Sequence, residues 1–274
     1  MLNQSLFANN VRKQLTHSPY DTIDCHRDIR LKRYFFFAIK PIKSQRGLNA
    51  SVLEYLKPEA VLSEENRKYF IGRFKARKSK KELDEKISRA AILVPLCKHE
   101  GELGFLYTLR STKLTSNRGQ VSFPGGMYDD EDRNLEETAL RETWEELNIP
   151  REKIVVWTSG NMIDKKNVHV LPVFGYIGEV DPNKLQINTR EVEEAFFLSL
   201  RNLCDPSLCR FTHFRNNYTL PVYLGGKHRV WGFTAAVTHM TLNALVPDAY
   251  KHKLPYLWPI IPPIKDKPKN NGHS

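Results

Sequence analysis

The apolar residues of this chain change rhythm several times, and each change predicts an element. Tyr69, Phe70 and Phe74 recur at helical spacing behind Ser63, a residue suited to the N-cap position ahead of Glu64 and Glu65. A basic hinge from Lys75 to Lys81 leads to a second helical piece through Ile87. The helical period then gives way to a continuous apolar run, Ala90 to Leu96, expected as a buried strand. Glu100 to Gly104 makes a hairpin turn, and Phe105 to Leu109 returns beside it. Strands are also predicted over Lys153 to Trp157 and over Val168 to Ile177, where Pro172 points to an edge position or a bulge. An acidic loop, Asn188 to Glu194, feeds a short strand and then a helix. Residues 207–217 read as loop. Tyr218 to Tyr223 is expected to pair back through Gly225-Gly226 with His228 to Trp231. Phe233 to Leu245 is an amphipathic helix with Phe233, Ala236, Val237, Met240 and Ala244 on one stripe. The chain has no internal repeat, and from Pro247 it is rich in Pro and Lys and expected to be irregular.

One predicted helix carries an unusual polar face. It contains Arg141-Glu142-Thr143-Trp144-Glu145-Glu146, and at 100° per residue its three glutamates fall within about 100° of one another. Ala139, Leu140, Thr143 and Leu147 lie on the adjoining side, which can face a core. Three carboxylates in one patch repel each other unless a cation sits among them, and an all-oxygen set suits a hard divalent ion, Mg²⁺ or Mn²⁺. Ahead of the helix stand Phe123-Pro124-Gly125-Gly126, whose glycines allow close backbone approach to a ligand, and a polar loop that begins at Arg110-Ser111.

This stretch resembles the nudix box. The Arg-Glu-x-x-Glu-Glu half is present at Arg141 to Glu146. Asp132 stands where the box has its first Glu, and the spacing to Arg141 is one residue longer than usual. Thr143 replaces an aliphatic residue. Asn148 replaces a Gly, and Asn is the next best residue for a left-handed helix end. The longer spacing, together with Leu106-Tyr107-Thr108-Leu109-Arg110-Ser111, Gly119 and Phe123 to Gly126, is similar to the coenzyme A branch of that family. Thr115 stands where that branch has Arg, with Lys113 and Arg118 as nearby cations. The resemblance covers about residues 88–246.

It implies an α/β fold: a nudix α/β/α sandwich with a mixed β-sheet and a catalytic loop-helix-loop. It also implies hydrolysis of the diphosphate of coenzyme A or acyl-CoA to 3′,5′-ADP and (acyl-)4′-phosphopantetheine. By resemblance the metal ligands are Glu142 and Glu146, with Glu145 sharing one. Glu145 and Glu191 are the candidates for general base. Substrate contacts are expected from Arg110, Ser111, Gly119, Phe123, Gly125 and Gly126, with Arg110 gripping a phosphate and favouring coenzyme A over ADP-ribose. Lys227, His228 and Arg229, after a glycine turn, are candidates to meet a 3′-phosphate. No histidine enters this chemistry. Two other readings stay open: a nudix hydrolase of another nucleoside diphosphate derivative (ADP-ribose, NADH or capped RNA), and a non-catalytic RNA-binding protein on the same fold.

Charge bears on the second alternative. The net charge is +11, yet residues 1–50 hold nine Lys and Arg against three Asp, and residues 251–274 hold five Lys against one Asp. The middle of the chain is close to neutral, which argues against a catalytic body coated in nucleic acid. Residues 1–20 contain no acid and carry Arg12 and Lys13 among polar and scattered apolar residues, a pattern similar to a mitochondrial targeting segment. The organisation expected is therefore a basic targeting or disordered segment (1–50), a helical extension (51–87), the nudix domain (88–250) and a Pro/Lys-rich tail (251–274). Coenzyme A species are the expected partners. No membrane span is expected, since no apolar run nears the roughly 20 residues needed. Four cysteines without a CxxC pair offer neither a disulfide framework nor a zinc site.

Overall fold

The computed structural model describes residues 48–75, 87–165, 167–213 and 219–254. The expected targeting segment, most of the basic hinge, the second helical piece before Ile87 and most of the tail lie outside those residues.

The sheet forms around β1 (Ser88–His99), which pairs with the parallel strand β7 (Val168–Glu179) on one side. On the other it pairs with antiparallel β2 (Glu102–Arg110) and β4 (Gly125–Met127). β2 in turn pairs with β3 (Val121–Ser122) and β8 (Val192–Ser199), and β7 pairs with β5 (Val155–Ser159) and β6 (Ile163–Lys165). One parallel pairing among antiparallel ones makes the sheet mixed, as expected. The hairpin between β1 and β2 turns at Glu100-Gly101, both with positive φ, so the turn is shorter than the expected Glu100 to Gly104 and β2 already begins at Glu102.

Side chains alternate between the faces of β1, and each face has its own core. Ala91, Leu93 and Cys97 point into one cluster with Leu106, Val173 and the helix α4 (Leu135–Leu147). Val94 and Leu96 point into the other, with Phe105, Tyr107 and Phe174. That second face is covered by α3 (Glu64–Lys75) and α6 (Gly232–Leu245). Ahead of α3 lie two short helices, α1 (Ala50–Glu54) and α2 (Pro58–Val61), and α5 (Leu200–Cys204) follows β8. The result is helices on both sides of a mixed sheet, the α/β/α sandwich. Among the described residues no helix is long and apolar enough to cross a membrane.

Several local expectations hold. Ser63 accepts a hydrogen bond from the Asn66 amide at the start of α3. Asn148 ends α4 in the left-handed conformation, its N–H bonded to the Trp144 carbonyl at 2.7 Å. Three expectations need correction. Residues 207–217 are not all loop: β9 (Cys209–His213) pairs along its length with β10 (Thr219–Tyr223). The return from β10 to His228–Trp231 is only a single bridge, Tyr223 to Val230, and the full-length partner of β10 is β9. Pro172 sits in an interior strand, not on an edge. The missing N–H is tolerated because the neighbouring strand is interrupted there: β5 stops at Ser159, β6 starts at Ile163, and the Gly160 amide donates to the Pro172 carbonyl at 2.8 Å.

Candidate metal and diphosphate site

The acidic helix is fixed at both ends. Asn134 caps the N-terminus of α4 by accepting from the amides of Glu136 and Glu137, and the left-handed Asn148 closes the other end. Thr138, Ala139, Leu140, Thr143 and Leu147 are buried against the sheet, as the pattern requires. That seating drives Glu146 inward, and it is only 2% exposed. The carboxylates of Glu142, Glu146 and Glu191 come together, each offering an oxygen within 4.8 Å of the others.

Glu191 arrives from a different part of the chain. The loop before β8 is tied to α4 by the Asn188 amide donating to the Glu146 carbonyl at 2.9 Å. It is tied to the end of β2 by the Ser111 amide donating to the Glu191 carbonyl at 2.8 Å. Pairing of Arg110 with Val192 sets the register that brings Glu191 alongside the helix. Glu145 lies beside the cluster and turns to Arg141 instead, 3.1 Å away, with its side chain 38% exposed. A cleft of about 440 Å³, lined among others by Trp144, Glu145, Gln186 and Glu191, opens next to the group.

Arg141 organises the outer side. Its guanidinium donates to both Asp132 oxygens at 2.9 and 3.0 Å, to the Met127 carbonyl at 3.1 Å and to Glu142 at 3.0 Å. Asp132 also accepts from the Thr138 hydroxyl and the Asp129 amide. These partners, Arg141 first, hold the Asp132 carboxyl at about 2, well below the usual range. Asp132, one residue further from Arg141 than the usual Glu, thus clamps the arginine that in turn reaches Glu142 and Glu145.

Burial does the opposite to the inner glutamates. It raises the Glu146 pKa to about 8, helped by the charges of Glu142 and Glu191 and opposed by Arg110. It raises that of Glu142 as well, against the pull of Arg141. Carboxylates that are crowded together and partly buried repel one another, and a hard cation relieves that repulsion. Oε2 of Glu146 is buried without a hydrogen-bond partner, so the donor set fits a divalent ion.

The glycines of Phe-Pro-Gly-Gly are required by space. A Cβ on Gly126 would lie 2.4 Å from the Glu142 carboxylate, and one on Gly125, where φ is +148°, would lie 2.3 Å from the Ala91 carbonyl oxygen. Arg110 points inward, with Nη1 3.9 Å from Glu146 and Nε buried without a partner. Ser111 is buried at the base of the loop, where its hydroxyl accepts from the Lys113 amide. Gly119 makes an exposed turn with φ +66° and returns its amide to the Arg110 carbonyl. Phe123, expected near substrate, is instead a core residue, stacked on Tyr107 at 4.8 Å and edge-on to Phe105. Lys113 and Arg118 lie on the exposed part of the loop. Lys227 and His228 pair with Glu194 at 2.6 and 3.0 Å, and Arg229 lies over Trp231. Sequence reasoning missed Lys165, which is half-buried and has its Nζ 5.0 Å from the Phe233 ring centre. A lone lysine in a short strand gives no signal of that placement.

A family model described as the NUDIX domain matches residues 87–217. Among known proteins, the chain is 44% identical over 173 residues to the mitochondrial coenzyme A diphosphatase NUDT8 of Homo sapiens, covering 60% of this chain and 72% of that one. It is 34% identical over 186 residues to nudix hydrolase 3 of Caenorhabditis elegans, covering 61% and 77%. It is also 34% identical over 154 residues to the peroxisomal coenzyme A diphosphatase NUDT7 of Mus musculus, covering 54% and 64%.

Proposed function

The chain belongs to the NUDIX family, and from that premise we infer that it hydrolyses the diphosphate bond of coenzyme A and acyl-CoA esters. The products are 3′,5′-ADP and 4′-phosphopantetheine or its acyl derivative. The observation that carries the chemistry is the meeting of Glu142, Glu146 and Glu191 beneath two glycines and beside an inward arginine. The substrate follows from the coenzyme A diphosphatases among its relatives and from the Arg110-Ser111 to Gly126 pattern.

We assign Glu142, Glu146 and Glu191 as ligands of a divalent ion, Mg²⁺ or Mn²⁺. Such an ion screens the diphosphate charge and acidifies water. Arg141 holds Glu142 in place and keeps Glu145 near. Glu145, outside the three-oxygen group and at the edge of the cleft, is the better placed of the two base candidates. Gly125 and Gly126 let backbone approach the phosphates. Arg110 faces the metal-binding carboxylates and is placed to hold the diphosphate, the part every nudix substrate shares.

Mass spectrometry of the products from a mixed panel of CoA esters, NADH, ADP-ribose and capped RNA tests the substrate. Cleavage of CoA species to 3′,5′-ADP is expected to dominate, and faster turnover of any other member would overturn the reading. Glu145→Gln should lower kcat with metal affinity kept, whereas Glu191→Gln should weaken metal binding; the reverse pattern would exchange their roles.

We place the protein in mitochondria. The acid-free, basic first 20 residues support this, as do the mitochondrial relatives. Residues 1–50 fused to a fluorescent reporter should carry it there, and a diffuse or peroxisomal reporter would refute the address.

A further inference from the structure

Lys165 is a half-buried cation packed on an aromatic ring. Its side chain runs inward from the end of β6 and its ammonium sits 5.0 Å from the ring centre of Phe233, at the start of α6. A half-buried ammonium is costly unless a charge or dipole compensates it. No carboxylate among the described residues is within ion-pair distance. Burial lowers its pKa from the usual lysine value, and the charge of Arg110 lowers it further.

The surrounding contacts connect Lys165 to the diphosphate site. Phe233 is followed by Thr234, whose hydroxyl donates to the Val121 carbonyl at 2.9 Å. Val121 pairs with Leu109, the residue before Arg110. The Arg110 amide donates to the neighbouring Gln120 carbonyl. This run of contacts links Lys165 and the first turn of α6 to Arg110, which itself faces Glu146. The N-terminus of α6 has no side-chain cap, so its dipole adds positive potential there.

Several basic groups near this end of the fold already have partners. Lys227 and His228 share the Glu194 carboxylate, and Arg229 is laid over Trp231. Arg110 is turned to Glu146. Unlike the exposed loop cations Lys113 and Arg118, Lys165 is held in a half-buried position, which suits it to a substrate group that lies away from the metal.

We propose that Lys165, seated on Phe233 at the N-terminal end of α6, forms a phosphate-monoester subsite that takes the 3′-phosphate of the adenosine half of the substrate, next to the diphosphate site of Arg110. This rests on the substrate reading given above. It assigns the coenzyme A preference to Lys165 and leaves Arg110 with the diphosphate. The aromatic face holds the ammonium when no substrate is present, at the modest strength of a cation–π contact, and yields it to a doubly charged phosphate.

Two measurements decide it. The first is kcat/KM for coenzyme A and for dephospho-CoA, which lacks only the 3′-phosphate, in wild type, Lys165→Met and Lys165→Arg. Lys165→Met keeps the alkyl stem on Phe233, and thermal melts establish that it folds. Its preference for coenzyme A over dephospho-CoA should fall about tenfold through KM, the usual worth of one charge-assisted hydrogen bond, and Lys165→Arg should restore most of it. The second is calorimetric titration with 3′,5′-ADP and with 5′-AMP. The advantage of 3′,5′-ADP over AMP should shrink by a similar factor in Lys165→Met. An equal fall for both substrates would put Lys165 on the shared diphosphate and overturn the proposal, as would no change in either. If wild type cleaves neither coenzyme A nor dephospho-CoA, the substrate reading fails separately, and the titration alone decides on Lys165.

Discussion

Gly126 and Gly125 look equivalent in the sequence, yet the two should fail in different ways. A methyl at Gly126 meets the carboxylate of Glu142, the far end of a long side chain rather than backbone. Glu142 can swing away at little cost to folding, but the ligand group is then broken. Gly126→Ala is therefore expected to melt within a few degrees of wild type while losing at least about a hundredfold in kcat, comparable to loss of a metal ligand. A methyl at Gly125 meets backbone, the Ala91 carbonyl and the Ile92 Cα, at a φ that L-residues avoid. Gly125→Ala should cost stability as well, on the order of 2–3 kcal/mol. Melting curves beside turnover distinguish the two, and equal loss of stability would refute the assignment of Gly126 to the Glu142 carboxylate. Glu146→Gln completes the set: the fold should be kept, and turnover should drop at least about a hundredfold even at saturating metal. Near-wild-type rates would remove Glu146 from the site. At the same scale, Asp132 predicts a pH dependence. Its folded pKa, about 2, lies below the usual aspartate value of about 3.8, so it contributes stability that is fully present above about pH 4. That contribution is lost as the pH falls from about 4 to about 2. Because Arg141 is partly exposed, the contribution is on the order of 1–2 kcal/mol. Asp132→Asn should be less stable than wild type at pH 7, and the gap should narrow below about pH 4 and close by about pH 2. A gap that persists at low pH would mean that packing rather than charge is responsible.

Among the elements, α4 was legible because every signal for it is local: the cap at Asn134, the apolar side from Ala139 to Leu147, the glutamate face and the left-handed end at Asn148. The strands β1, β2 and β7 were legible as apolar runs, with only their ends misjudged. The pairing of β9 with β10 was not. Cys209-Arg210-Phe211-Thr212-His213 is short and half-polar, and the Gly225-Gly226 pair offered a more obvious turn than the true partner upstream. Pairing choice depends on which edge is free in three dimensions, and composition does not contain that. The site shows the same division. Glu142 and Glu146 follow from helical periodicity, whereas the approach of Glu191 depends on the register of β8 on β2. Phe123 shows the converse error: a residue marked by a motif is held there by packing on Tyr107, not by a ligand. α3 yields the prediction for this scale. Its Phe70 is 1% exposed and touches Phe74, Trp157 and Phe174 with ring centres 4.9 to 5.8 Å apart. Phe70→Ala should cost about 3–5 kcal/mol, the usual range for a buried aromatic. A loss below about 1 kcal/mol by denaturant unfolding would mean that α3 is only loosely docked.

At the scale of the whole molecule, these contacts bear on where the folding unit begins. The sequence divides a helical extension, 51–87, from a nudix domain, 88–250, and the matched family region starts at residue 87. The core does not respect that division. Leu56, Val61, Phe70 and Phe74 belong to the same buried cluster as Val94, Phe105, Tyr107 and Phe174 of the sheet and Val237 and Leu242 of α6. Removing residues 1–87 would strip one face of Phe174 and Trp157 and expose a continuous apolar surface. Loss of the Phe70 and Phe74 contacts alone, at about 3–5 kcal/mol each, approaches the 5–15 kcal/mol that holds a typical domain together. We therefore expect a chain beginning at residue 48 to melt cooperatively, near the full-length temperature and with unchanged kcat/KM, since all the site residues lie well inside it. A chain beginning at residue 88 should melt without a sharp transition or fail to stay soluble, although it carries Arg110, Glu142, Glu145, Glu146 and Glu191 intact. A stable, active protein from residue 88 onwards would show that the extension is an appendage and that the sheet face it covers can be closed by α6 alone.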